Sequence, residues 1–335
     1  MPRRRTQLSV ASQPSSSGGE SAHSLGGVSS SSHPLTARSG IVFAAGAYGL
    51  WGFLPLYFIA LIPADPIEIV AWRVVFSLGF CAVLLTIMRT WHPFLTILGT
   101  ARTVALLSTG GLFICINWLT YVYATLTGHV VEAALGYFIN PIVTILLGVI
   151  LLRERLTLMQ WGAVGVSTVA VIVLTIGLGQ LPWISLVLAS SFALYSYVKN
   201  KVGSRVDSIS SLTVETLSLT PVAVVVLGVF ALSHRLTFGS VSVTSTLLML
   251  GLGAVTAVPL LLFGSAARRL PLSRLGFIQY LAPLLQFIVG VVILHEPMPL
   301  ERWIGFGLVW CALIVLIVDV IRRTQGSRKP LPGVP

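Results

Sequence analysis

The residues able to do chemistry in this chain are the few ionisable and amide side chains set inside long apolar runs. Arg73 interrupts the run 67–88, and Glu215 interrupts the run 210–232. A charge at mid-membrane costs about 2.5–3.5 kcal/mol on insertion scales, so each is a functional candidate by default. Helical rise puts Arg73 about 9 Å below the nearer membrane face. There it either snorkels outward, pairs with an acid to lock helices together, or binds an anionic or polar group of a substrate. Glu68, at i−5, is off the preferred helical spacings and is not its natural helix partner. Glu215, at the position in the second half that corresponds to Arg73, either marks a helix end or carries a coupling proton.

His129 and Glu132 are three apart and share a helical face. Zinc takes more protein ligands than this pair supplies, so no metal is expected. A hydrogen-bonded helix end, or a proton-sensitive gate, is the reading of the pair. The same helix continues through Tyr137, Asn140 and Pro141, where Asn140 can bond a carbonyl freed by the kink or meet substrate. Asn117 and Tyr121, at i and i+4, form another polar stripe, and Gln279, Tyr280 and Gln286 surround Pro283. The candidate substrate contacts are therefore Arg73, Asn117, Tyr121, Glu132, Tyr137, Asn140, Glu215, Gln279, Tyr280 and Gln286. Trp51 and Tyr57 lie deep enough to line a cavity, although core packing is their default, while Trp91, Trp183 and Trp303 read as interfacial belt residues. No serine, histidine and carboxylate set, phosphate loop or catalytic carboxylate pair is visible, and no cofactor is expected. Cys81, Cys115 and Cys311 sit in apolar segments without redox or ligand spacing.

Ten apolar segments must position these groups, at about 40–62, 67–88, 102–125, 129–152, 157–177, 181–199, 210–232, 243–265, 273–294 and 299–320. The chain is 55% hydrophobic and 9% charged, with mean hydropathy +0.93, so most of its surface faces something other than water. Its net charge of +11 does not indicate nucleic acid, because the basic residues cluster at segment ends. With the N-terminus in the cytoplasm, eighteen Lys and Arg fall inside against Arg235 and Arg302 outside. That bias places both termini inside and requires an even number of crossings. The expected fold is an all-α integral membrane protein of ten helices.

Pro141, Gly148, Glu154, Trp161 and Gly165 recur as Pro283, Gly290, Glu296, Trp303 and Gly307, and every pair is separated by the same distance along the chain. Five crossings separate the copies, so the second is inverted, as in many secondary transporters. The expected domains are a disordered Ser/Gly-rich cytoplasmic tail (1–38), a first five-helix repeat (39–178), a second (179–321) and a basic cytoplasmic tail (322–335). The first apolar run is too long for a signal-peptide core and reads as a retained span. Small residues four apart, Ala45/Gly49 and Gly253/Ala257, are expected to let helices pack closely.

The stretch Gly128 to Pro141 (GHVVEAALGYFINP) resembles the signature of the RarD group, in the EamA branch of the drug/metabolite transporter superfamily. Thr256 to Phe263 (TAVPLLLF) and Gly276 to Pro283 (GFIQYLAP) are similar to further stretches of that group. The resemblance covers about residues 40–320. It implies a ten-helix inverted-repeat carrier of the bacterial inner membrane, associated by label with chloramphenicol. Trp72 stands where the group often has His before the span-two arginine, and 123–127 lacks asparagines the group would have. A non-enzymatic secondary exporter of small amphipathic metabolites or drugs, proton-linked and working by alternating access, is the expected function. Its partners would be the small-molecule substrate, protons and the bilayer, with a homodimer left open. A lipid-linked enzyme built on His129 and Glu132, or a channel, are the alternatives.

Overall fold

The computed structural model describes residues 34–326 except 154, 203–205, 268 and 271–277. The expectations for the tail before residue 34, for Glu154, for the start of the ninth span and for residues 327–335 lie outside the described residues. All regular structure among the described residues is helical. Helices α1 (Pro34–Gly52) and α2 (Leu54–Ile59) are followed by α3 (Pro66–Ile87), a short α4 (Trp91–Leu98), α5 (Ala101–Leu126), α6 (Val130–Leu152) and α7 (Leu158–Leu178). The second half runs α8 (Trp183–Val202), α9 (Ser208–Leu232), α10 (Val243–Ala267), α11 (Leu281–Ile288, continued by a π turn Val289–Ile293) and α12 (Leu300–Gly326).

Eight of these helical segments are long and apolar enough to cross a membrane, counting α1 and α2 as one. They coincide with eight of the ten runs read from hydropathy. The run 181–199 is also one helix, α8, but it carries Ser185, Ser190, Ser191, Lys199 and Lys201 and is less apolar. The run 273–294 is described only from residue 278, as the shorter apolar helix Leu281–Ile293.

Local signals explain the ends. Asp65 caps α3 by accepting the Ile67 amide at 2.9 Å, and Asp207 caps α9 by accepting Ile209 and Ser210 amides at 3.0 Å. The two aspartates stand at the same displacement as the repeated landmarks. Arg153 closes α6 in the left-handed region (φ 56°), and His295, its counterpart under that displacement, does the same after the π turn (φ 55°). Thr157 and Gln160 form a capping box on α7.

The helices pack in sets that map onto one another under the same displacement. Helix α3 lies on α9, α7 on α12 and α6 on α11. The contact of α5 with α8 has its counterpart in α1 with α10, that of α6 with α8 in α1 with α11, and that of α3 with α10 in α5 with α9. The largest buried cluster draws Phe58, Val74 and Trp118 from the first half and Leu188, Leu212 and Leu252 from the second. The core thus lies between the halves rather than within either. Orientation follows from the ends: Arg235, just past α9, pairs with Asp65 at the head of α3, whereas Asp207 heads α9 itself. Asp65 and Asp207 therefore stand at opposite ends of a 25-residue helix. Likewise Glu296 bonds the first amides of α6, while Arg153 caps its far end.

Gly253 shows why small residues sit at these crossings. A Cβ there would lie 2.3 Å from the Phe76 carbonyl oxygen of α3, and its counterpart Gly111 meets the Glu215 carbonyl oxygen of α9 at 3.1 Å. Backbone cannot retreat as a flexible side chain can. Gly253→Ala should lower stability by about 2 kcal/mol through overpacking. Gly307→Ala, where a Cβ meets nothing within 4 Å, should gain about 0.5 kcal/mol from helix propensity. Thermal unfolding midpoints in one detergent check both, and equal shifts would refute the close-approach argument.

Candidate functional site

Arg73 lies in the third turn of α3 with 4% of its surface exposed. Among the described residues it meets no acid. Its Nε donates to Thr256 Oγ1 on α10 at 2.9 Å, and that hydroxyl in turn donates to the Leu252 carbonyl at 2.8 Å. The guanidinium carbon sits 4.3 Å from the Trp118 ring centroid and 5.6 Å from that of Phe58. A desolvated cation over an indole gains about 2 kcal/mol. The ionisable groups facing it are Tyr137, Tyr121 and Cys115, and none is a carboxyl. Its Nη1 is buried with no hydrogen-bond partner among the described residues.

Tyr121 carries a second buried donor without a partner among the described residues, its hydroxyl. Its ring packs edge-on to Phe58 at 6.0 Å and tilted to Tyr137 at 5.8 Å. The Tyr137 hydroxyl donates to Asn117 Oδ1 at 2.9 Å, and Asn117 Nδ2 donates to the Leu188 carbonyl and Ser191 Oγ, both at 3.1 Å. Asn117 is thereby occupied in joining α5, α6 and α8. Four of the residues read from sequence, Arg73, Asn117, Tyr121 and Tyr137, meet in one place. Thr256, Trp118 and Phe58 complete it. Thr256 opens the TAVPLLLF stretch, but its bond to Arg73 spans 183 residues, and local spacing carries no trace of that.

From this cluster an aromatic chain runs toward the head of α9. Tyr137 packs on Phe192 and Phe192 on Tyr195, each at 6.0 Å, and the Tyr195 hydroxyl donates to Glu215 Oε2 at 3.3 Å. Glu215 is buried and fully engaged: Lys199 Nζ pairs with its Oε1 at 2.8 Å, and Ser211 Oγ donates to the same oxygen at 2.9 Å. Lys199 also donates to Ser211. Glu215 is therefore half of an ion pair within the third turn of α9, neither a helix-end residue nor an isolated carboxyl.

The other candidates are dispersed. Asn140 donates to the Ala189 carbonyl at 3.0 Å, tying α6 to α8. Glu132, near the head of α6, has a buried Oε1 without a hydrogen-bond partner among the described residues, and its backbone carbonyl accepts from Ser185 Oγ. His129 Nδ1 meets Thr127 Oγ1 at 3.0 Å, and His129 is also among the charged groups facing the Glu132 carboxyl. Gln279 is exposed in the turn before α11. The Tyr280 ring stacks on Phe138 at 6.4 Å. Gln286 Nε2 donates to the Trp51 carbonyl at 3.1 Å. Trp72, at the position where the resembled group often has His, stacks on Phe76 at 5.0 Å and packs tilted against Phe238 at 4.4 Å.

Two carboxylates have jobs that spacing did not reveal. Glu68, fully buried, accepts from the Thr237 amide and hydroxyl and from the Phe238 amide. Glu296 accepts the Val130 amide at 2.6 Å and the Val131 amide at 2.9 Å, bonding the first turn of α6. Beside the Glu68 clamp lies a cavity of about 980 Å³ lined by Ile62, Asp65, Thr120, Tyr123, Trp183, Arg235 and Thr237, among others.

A bundle of membrane-length helices gathered around a buried cation and a set of aromatic rings is the build of a multi-pass membrane transporter. The chain belongs to the EamA-like transporter family, whose pattern matches twice, over residues 38–176 and 181–318. Protein RarD of Streptomyces exfoliatus is 45% identical over 294 residues, covering 88% of this chain and 93% of that one. Protein RarD of Escherichia coli strain K12 is 40% identical over 294 residues, covering 87% and 98%. These relatives put the chain in the RarD subgroup. A crystal structure of a protein 19% identical covers 85% of this chain and 98% of its own, with a TM-score of 0.54. At that identity the likeness bears on the fold alone.

Proposed function

We propose that the chain is a secondary exporter of small amphipathic metabolites or drugs, working by alternating access in the bacterial plasma membrane. Its ten helices form two oppositely oriented repeats, 39–178 and 179–321, with both termini in the cytoplasm. The observation that carries the reading is the buried Arg73 cluster, built from α2, α3, α5, α6 and α10 and so drawing on both halves. A site held jointly is one that rocking of the halves exposes alternately. The mirrored packing of α3 on α9 and of α5 on α8 with α1 on α10 supports the inverted arrangement. So do Asp65 and Asp207 at opposite ends of α9. The cytoplasmic placement of the termini rests on eighteen basic residues against two.

Proton coupling belongs to this reading, and Glu132 is the carboxyl proposed to serve it: its Oε1 is buried without a hydrogen-bond partner among the described residues, and His129, Arg302 and the backbone of Ile184 and Ser185 face the group. Glu215 is already held by Lys199. The chloramphenicol label of the resembled group sets a size and polarity for the cargo rather than an identity.

The experiment compares metabolites released by cells making the protein with cells making Arg73→Gln at equal membrane abundance. Any compound enriched outside by the first and not the second should show counterflow in proteoliposomes. No difference under any growth condition tested would sink the exporter reading. Labelling of single cysteines at Arg153 and His295, with Cys81, Cys115 and Cys311 replaced, should mark them on opposite sides of the membrane.

A further inference from the structure

The geometry points to an amphipathic monocarboxylate as the substrate of the Arg73 site: one carboxylate for Arg73 and Tyr121, and an apolar body for the rings of Trp118, Phe58 and Tyr137. The inference rests on the carrier reading above and narrows it to a chemical class.

The argument starts from what the site lacks. Buried hydrogen-bonding groups are nearly always paired, so each orphan calls for an explanation. Here two donors are orphaned within one cluster, Arg73 Nη1 and the Tyr121 hydroxyl. Both need an acceptor, and neither finds one among the described residues. The Tyr137 hydroxyl donates to Asn117 and accepts from neither of the two. A buried cation is moreover destabilised unless a negative charge accompanies it. The groups facing Arg73 are two phenols and a thiol. The missing partner is therefore an anion, and no described residue supplies it.

Its charge and shape follow. The next cation along the aromatic chain is Lys199, which is half-buried and spent on Glu215. A dianion would leave one charge without a partner, so a single negative charge matches. Guanidinium presents a planar fork that suits the two oxygens of a carboxylate. Since Nε is taken by Thr256, Nη1 faces one oxygen and the Tyr121 hydroxyl serves the other. A phosphate would ask for more donors than these. The walls decide the remainder of the molecule: Trp118 covers the guanidinium at 4.3 Å, Phe58 lies 5.6 Å from it, and Tyr121 and Tyr137 stand 5.8 Å apart. Such walls favour an aromatic or branched apolar body over a sugar or a zwitterion. The ammonium of a zwitterion would face the guanidinium with no carboxylate of the protein to hold it.

The test uses the full chain in lipid nanodiscs and scintillation-proximity binding of radiolabelled phenylacetate, indole-3-acetate and octanoate. The matching amides and amines serve as competitors. At least one acid should bind, and its amide and amine should compete about tenfold more weakly or worse, the margin of one charge-assisted hydrogen bond. Arg73→Gln should weaken the acid by a similar factor and leave the amide unchanged. Tyr121→Phe keeps the ring packing, removes only the orphan hydroxyl, and should weaken the acid several-fold. If Arg73→Gln does not fold, the Tyr121→Phe arm decides. Unchanged acid affinity there, equal competition by amide or amine, or failure of all three acids to bind would each overturn the assignment. Tight amide or amine binding with no acid binding would spare the carrier reading and remove only this substrate class. Silence from all three series, together with no difference in released metabolites, would remove both.

Discussion

Replacing Glu68 by Ala should lower stability by about 4 kcal/mol, among the largest losses of any single change in the chain. Glu68 is fully buried in the first turn of α3, and its carboxylate gathers three donors from the turn that joins α9 to α10. The Thr237 amide approaches Oε1 at 2.9 Å and Oε2 at 3.1 Å, the Thr237 hydroxyl Oε2 at 2.7 Å and the Phe238 amide Oε1 at 3.0 Å. A hydrogen bond to a charged group contributes about 1.5–3 kcal/mol net, and an amide stranded away from water costs a similar amount. Thr237 and Phe238 are only half-buried, so water recovers part of the loss and the sum is discounted accordingly. Glu68→Gln keeps the shape but turns an NH2 toward donors, and it should cost about half as much. Thermal unfolding in one detergent, scanned for both variants, measures this. An Ala variant within about 1 kcal/mol of the parent would mean the clamp is incidental.

The clamp also shows where reading along the chain stopped. Eight of the ten expected spans were legible as membrane-length apolar helices, because hydrocarbon imposes length and apolarity on each helix separately. Arg73 was legible for the same reason, as the costly exception in an apolar run. The constant displacement between the repeats was legible in five landmarks. Asp65 with Asp207, Arg153 with His295 and Gly111 with Gly253 extend it, since each repeats a cap or a close approach that its repeat needs. Partners were another matter. A helix in lipid is apolar toward its neighbours and toward the bilayer alike, so its faces cannot be told apart by periodicity. Glu68 was judged against Arg73, five positions away, when its donors lie 169 and 170 residues off. Lys199 counted only as a loop charge for orientation, yet it reaches back 2.8 Å to Glu215. Thr256, Trp118 and Phe58 carried no ionisable group to single them out. Gln279 and Tyr280 were chosen for flanking Pro283, and the fold leaves the first exposed and the second stacked on Phe138.

Lys199 and Glu215 should respond asymmetrically to mutation, because the two charges are not equally buried. The Glu215 side chain is 1% exposed, against 31% for Lys199. Lys199→Met strands a buried carboxylate with only the Ser211 and Tyr195 hydroxyls for partners, and removing one member of a buried pair costs about 3 kcal/mol. Glu215→Leu leaves an ammonium that can turn to water, and the cost should fall to about 1 kcal/mol. The double variant, with both charges gone and the volume kept, should unfold near the parent, because an apolar pair can replace a buried ion pair at little cost. The same three variants separate structure from transport. If Glu215 serves only to hold α8 against α9, the double variant should move substrate at close to the parental rate once stability returns. A double variant that unfolds like the parent and no longer transports would instead assign the pair a place on the substrate or proton path. A Lys199→Met variant as stable as the parent would show that Glu215 needs no cation, and the asymmetry argument would fail with it.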